Sequence, residues 1–158
     1  MISQTAEYAL RAVTHLAAHE AGDPPTTGQI SEATQVPSHY LAKVLRSLSR
    51  AGLVRSQRGP GGGHKLQRDP EVITVLEVVN AVDPLSRIET CPLGLKHHRN
   101  LCPLHRRLDS ALALVEAAFD ETTIAELVPR PTRNKATCQF PCVAFGDRLG
   151  SESTSRSR

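Results

Sequence analysis

Apolar residues recur along the first fifty positions at the spacing of helix faces, and polar or breaking residues punctuate them. Ala6, Ala9/Leu10, Val13 and Leu16/Ala17 predict a helix over residues 3–20, with Ser3 as its cap and Gly22-Asp23-Pro24-Pro25 as its stop. A shorter helix is expected over about Thr27–Thr34, with Ile30 and Ala33 facing inward. Pro37 then breaks the chain, and Ser38 can cap a third helix over about residues 38–51. Its apolar face is Leu41, Val44/Leu45 and Leu48, and Gly52 stands where a helix C-terminus favours glycine. Residues 53–56 and 64–66 read as two short strands joined by Gly59-Pro60-Gly61-Gly62-Gly63. A helix over about 74–82, a loop over 83–102 and a long helix from about Pro103 follow. The long helix carries Leu108, Leu112, Val115 and Phe119 as an apolar stripe, and residues 122–128 form one more short helical piece.

This order predicts a mainly α fold: a winged helix-turn-helix with a long C-terminal dimerisation helix. The expected division is a DNA-binding domain over 1–82, a cysteine/histidine loop over 83–102, the dimerisation region over 103–128 and a tail over 129–158. Pro, Thr, Arg and Ser dominate that tail, so it is expected to be largely disordered.

Composition narrows the core. Two Tyr, three Phe and no Trp leave Leu, Val, Ile and Ala to fill it, which suits packed helices better than a large sheet. No run of about 18 apolar residues is present, so no membrane span is expected. The N-terminus lacks the basic start and apolar stretch of a signal peptide. The chain therefore reads as cytoplasmic, where four cysteines suggest metal or redox chemistry rather than a disulfide framework.

The net charge of +3 matters less than where the charges lie. Between Ser38 and Arg68 stand Lys43, Arg46, Arg50, Arg55, Arg58, Lys65 and Arg68, with no Asp or Glu among them. Residues 1–37 carry Arg11 against Glu7, Glu20, Asp23 and Glu32. An acid-free basic window laid on a helix and a ribbon is the footprint expected for duplex DNA. Ser38, His39, Ala42 and Lys43, near the start of the third helix, are placed to reach base edges, while Arg46 and Arg50 are better placed for phosphate. In the ribbon, Arg58 could enter a minor groove, the Gly61-Gly62 backbone could approach the duplex closely, and His64 could contact phosphate or solvent.

Glu7-Tyr8-Ala9-Leu10-Arg11, Leu48-Ser49-Arg50-Ala51-Gly52-Leu53-Val54 and, above all, Arg58-Gly59-Pro60-Gly61-Gly62-Gly63 resemble the IscR/NsrR (Rrf-type) family of bacterial winged-helix regulators. The likeness runs from residue 1 to about 128. Asp83-Pro84-Leu85-Ser86 and Thr123-Ile124-Ala125-Glu126-Leu127-Val128 lean towards its nitric-oxide-sensing branch. The resemblance implies a homodimer paired through the long helix on a roughly palindromic double-stranded operator, acting as a repressor, with no catalytic residues.

Cys91 and Cys102 bracket ten residues that include His97 and His98, and His105 follows three positions after Cys102. Thiolates and imidazoles are soft and borderline ligands for iron–sulfur clusters and zinc, although C-x10-C alone specifies neither. Cluster-binding relatives carry a third cysteine in this loop, and this chain has none there. The resemblance implies a cluster, [2Fe-2S] given so few thiolates, on Cys91, Cys102 and His105, with His97, His98 or Glu7 as further candidates. The alternative is structural zinc, or a direct thiol switch without a metal. Cys138 and Cys142, four apart in a proline-rich stretch, read as idle or weakly redox-active thiols, and His15 and His19 as surface histidines without a third ligand.

Overall fold

The computed structural model describes residues 2–19, 23–59, 61–91 and 101–129. Its elements are α1 (Gln4–Ala18), α2 (Thr27–Thr34), α3 (Ser38–Arg50), β1 (Val54–Gln57), β2 (Gly63–Leu66), α4 (Val75–Val82), α5 (Pro103–Glu121) and α6 (Ile124–Leu127). They form a mainly helical winged helix-turn-helix in which α1 lies at the centre, packed against α2, α3, α4, α6 and β2.

Small side chains make that position possible. Ala6, Ala9, Ala12 and Ala17 are all buried on α1, so neighbouring backbones approach closely and bring Ile30, Leu41, Leu48 and Val78 into one core. Local chemistry sets the helix ends. The Ser3 hydroxyl accepts from the Ala6 amide at 3.2 Å. Thr26 with Gln29, Thr74 with Glu77 and Thr123 with Glu126 form reciprocal capping boxes at α2, α4 and α6.

Two inward or capping assignments differ from the sequence expectation. Ala33 is exposed and Thr34 is buried instead, because its hydroxyl donates to the Ile30 carbonyl at 2.6 Å and so carries no unmet donor inward. Ser38 is the first residue of α3 rather than its cap. Pro37 holds the cap position without a side-chain bond, and the Ser38 hydroxyl lies 3.0 Å from that of Ser31 on α2. The turn between α2 and α3 is fixed by Gln35 at φ 55° and by the Ser31 hydroxyl donating to the Val36 carbonyl at 2.6 Å. At the far end of α3, Gly52 at φ 73° lets the Leu53 and Gly52 amides donate to the Leu48 and Ser49 carbonyls, a Schellman closure that aims the chain into β1.

β1 and β2 pair antiparallel, with Val54 opposite Leu66 and Ser56 opposite His64. After α5 the chain returns to the same core. The Ile124 amide donates to the Ile73 carbonyl, the Val75 amide to the Thr122 carbonyl, and Ile124 is 0% exposed. α5 itself has no buried residue: Leu104 and Leu114 are 64% and 74% exposed, and of the expected stripe Phe119 packs against the core. No helix among the described residues is long and apolar enough to cross a membrane.

Ile124 thus ties the segment after α5 to the winged body. Ile124→Ala is expected to destabilise the protein by about 3 kcal/mol through the lost burial and the cavity left behind. Urea unfolding checks this, and a change under about 0.5 kcal/mol would show that the C-terminal segment does not share the core.

Candidate nucleic-acid interface and metal centre

α3 divides cleanly. Leu41, Val44, Leu45 and Leu48 are buried, while Ser38, His39, Tyr40, Ala42, Lys43, Arg46 and Arg50 are exposed on one acid-free surface. Tyr40 is the residue on this surface that sequence reasoning missed. Its ring lies 4.2 Å from that of His39 and 6.2 Å from that of Tyr8, with the Lys43 ammonium 6.0 Å from its centroid. The available signal was its offset from the Leu41/Val44/Leu45/Leu48 face, which puts an aromatic among cations. A flat apolar ring with a hydroxyl there suits contact with sugar or phosphate better than burial.

The wing adds Arg55, Arg58 and Lys65, all exposed. Arg55 stands directly opposite Lys65 in the strand register. Like charges so placed weaken a ribbon, and an anion laid across them relieves the repulsion. Arg68 belongs elsewhere. It donates to both Glu77 oxygens at 2.8 and 3.0 Å and to the Val72 carbonyl at 2.6 Å, so it braces the start of α4. That bond to Arg68 holds the Glu77 carboxyl below its ordinary range.

Two of the wing glycines are required by space. A Cβ on Gly62 would sit 2.4 Å from the Gln57 carbonyl oxygen, and one on Gly63 would sit 2.1 Å from that of Pro24. The turn end of β2 is therefore pressed onto the loop before α2. Gly61, exposed at φ 74°, forms part of the tip. His64 is half-buried, with its Nε2 3.0 Å from the Thr27 hydroxyl and its Nδ1 2.9 Å from the Ser56 hydroxyl. Burial pushes its pKa below the ordinary histidine value.

The second site lies at the start of α5. Cys102 is the N-cap, Pro103 opens the helix and His105 sits in its first turn. The His105 Nδ1 lies 3.1 Å from the Cys102 sulfur and 3.6 Å from that of Cys91. The three donor atoms all fall within 4.8 Å of one another, and no other such group of three His, Cys, Asp or Glu residues occurs among the described residues. Metal–sulfur bonds of about 2.3 Å and metal–nitrogen bonds of about 2.0 Å place donors roughly 3.5 Å apart. The observed separations therefore fit a metal group.

Cys91 reaches this position because its loop is strapped to α5. Arg87 donates to both Asp109 oxygens at 2.7 and 2.6 Å and to Glu116 at 3.4 Å, while the Ile88 amide donates to Asp109 at 3.0 Å. Arg87 first, then the Ile88 amide, holds the Asp109 carboxyl below its usual range. The Cys102 thiol is also held below its ordinary value, chiefly by the His105 amide at the helix N-terminus and against the opposing effect of burial.

Among the described residues, Glu7, His15 and His19 do not join this group. Glu7 is ion-paired with Arg11 on α1. His97, His98, Cys138 and Cys142 lie outside the described residues. His15 and His19 stack with ring centroids 5.9 Å apart and share a cleft of about 390 Å³ with Asp23, Gln29 and Glu32.

The chain is similar to known transcriptional regulators. Residues 2–130 match the family model Rrf2, described as iron-dependent transcriptional regulator. A Haemophilus influenzae protein bearing the name HTH-type transcriptional regulator is 33% identical over 129 residues, covering 80% of this chain and 85% of its own. Among solved structures, CymR, the global cysteine regulator of B. subtilis, aligns with a TM-score of 0.67 at 29% identity, covering 80% of this chain and 95% of that one. IscR of T. potens aligns with a TM-score of 0.68 at 25% identity, covering 80% and 85%.

The electrostatics of Cys102 give a direct test. Peptide-resolved alkylation of the metal-free, reduced protein should show Cys102 reacting with a midpoint below the pH of about 8.5 typical of a free thiol. A midpoint at or above that value would contradict the helix-terminus account.

Proposed function

This chain belongs to the Rrf2 family of transcriptional regulators, and on that premise we propose that it is a cytoplasmic, homodimeric repressor whose grip on a double-stranded operator follows the state of an iron–sulfur cluster. The observation that carries the sensing half is the convergence of Cys91, Cys102 and His105 on the first turn of α5. The DNA-binding half rests on the acid-free surface of α3 and the wing. Ser38, His39 and Lys43 face bases, Arg46 and Arg50 face phosphate, and Arg58 with Gly61 and Gly62 brings the wing tip to the backbone.

A second copy supplies what α5 lacks. Leu104 and Leu108 are exposed, Leu112 and Val115 are only half-buried, and a helix this long with no buried residue needs a partner for its apolar stripe. Pairing there sets the distance between two copies of α3, and so the half-site spacing each dimer accepts.

Cys91, Cys102 and His105 would hold a [2Fe-2S] group, with His97, His98 or Glu7 from a second copy completing the set. Such a group supplies a centre reactive towards oxidants and nitric oxide. This chain's own residues do the rest. Cys102 and His105 ride on α5, Cys91 rides on the loop strapped by Arg87, and α5 packs on α4 within the winged body. Any change in how the two thiols are held shifts the loop against α5 and so the angle between paired winged domains. The compactness of the donor triad favours one second reading without a cluster, structural zinc or a direct thiol switch.

Binding to duplexes selected from a random pool by the wild-type protein is expected to weaken steeply with salt, as counterions leave the phosphates. Joint replacement of Lys43, Arg46 and Arg58 by Ala should flatten that slope, and an unchanged slope would refute the interface. Anaerobic reconstitution should give visible absorbance with iron and sulfide in the wild type and none in Cys91→Ala or Cys102→Ala. Stoichiometric zinc without colour would select the second reading.

A further inference from the structure

The wing raises a mechanical question. β1 and β2 contribute four residues each, and a two-stranded ribbon of that length does not hold its own orientation in water. Apolar anchoring is confined to its base, where Leu53 and Val54 are buried and Leu66 is partly covered. Arg58 sits at the far end of this lever. Unless something fixes the ribbon's attitude to α3, its tip and the recognition helix do not meet one duplex in a constant geometry.

We propose that His64 is a positioning residue: it closes a hydrogen-bond relay that locks the wing to α2 and α3 so that helix and wing engage DNA together. The relay runs across four elements. The Ser49 hydroxyl on α3 lies 3.2 Å from that of Ser56 on β1, Ser56 lies 2.9 Å from His64 Nδ1 on β2, and His64 Nε2 lies 3.0 Å from the Thr27 hydroxyl on α2. Ser56 and His64 face each other in the strand register, on the opposite side of the ribbon from Arg55 and Lys65. The backbone reinforces the same joint, since the His64 amide donates to the Pro25 carbonyl at 3.0 Å and Gly63 abuts Pro24.

Histidine suits this place for a geometric reason. Its two ring nitrogens point to opposite sides, and in the neutral ring one donates while the other accepts. Serine and threonine hydroxyls both donate and accept, so every link can be satisfied with one tautomer and rotated hydroxyls. Half-burial keeps the ring's pKa below the ordinary value, so near pH 7 it carries little charge for a phosphate. Both nitrogens are already engaged. The role that follows is to hold Arg58 in place rather than to touch DNA.

The consequence for DNA rests on the DNA-binding reading above, whereas the relay itself does not, and the experiment separates them. In the full-length protein without DNA, hydrogen–deuterium exchange of wing amides 57–59 and 61–63 should accelerate several-fold in His64→Ala, and likewise in the gentler Thr27→Val and Ser56→Ala, while α1 and α4 exchange as in the wild type. Exchange unchanged in all three variants overturns the relay, whatever the protein binds. On duplexes selected by the wild-type protein, His64→Ala should weaken binding about tenfold, the scale of one or two lost hydrogen bonds. The salt slope should stay the same, because no cation is removed. Thr27→Val and His64→Ala combined should cost little more than His64→Ala alone. Fully additive losses, or a reduced salt slope in His64→Ala, would instead make His64 a direct DNA contact and overturn the proposal.

Discussion

Everything in this molecule depends on how closely its neighbours can approach α1. With two Tyr, three Phe and no Trp, the chain cannot fill a core by bulk. It packs by proximity instead. The buried alanines of α1 let α2, α3, α4, α6 and β2 all rest on a single helix, and the branched residues Ile30, Leu41, Val78 and Ile124 fill the spaces between. Enlarging any of these alanines would push a functional element outward, because α3 and the wing are set by the same contact surface.

Polar bonds then set the edges that the core leaves free. The α2–α3 turn is held by Ser31 and Gln35, the exit from α3 by Gly52, strand β2 by His64 and Gly63, the start of α4 by Arg68 with Glu77, and the cysteine loop by Arg87 with Asp109. Each fixes one surface residue group relative to α1. The candidate metal centre and the candidate DNA surface are therefore joined through α5, α4 and α1.

Much of this was legible in the sequence wherever a local rule acts. The apolar periodicity of α1, α3 and α4, the cap at Ser3, the terminating Gly52 and the glycine-rich wing all depend on residues close in the chain. So does the Cys102–His105 pair, three apart at a helix start. What could not be read depends on partners distant in sequence. Arg68 looked like one more cation for phosphate until Glu77 folded against it. His64 gained its partners only when α2 and β1 came to its two sides. Phe119 looked like the end of an exposed stripe, but the return of the chain at Ile124 brings it to the core. Pro37 displaced Ser38 from the cap because the Ser38 hydroxyl had a nearer partner in Ser31. Tyr40 was missed although its offset from the Leu41/Val44/Leu45/Leu48 face already set it among the exposed cations.

In the function proposed above, the state of the Cys91–Cys102–His105 site sets the affinity of α3 and the wing for DNA. The most direct measurement is the affinity of one protein sample for a self-selected duplex, anaerobically, before and after its metal group is removed, in wild type and in Cys102→Ala. The account predicts a change of about fivefold or more in the wild type, the usual scale of coupling between two sites, and no change in the variant. Equal affinities for loaded and stripped wild-type protein would contradict it.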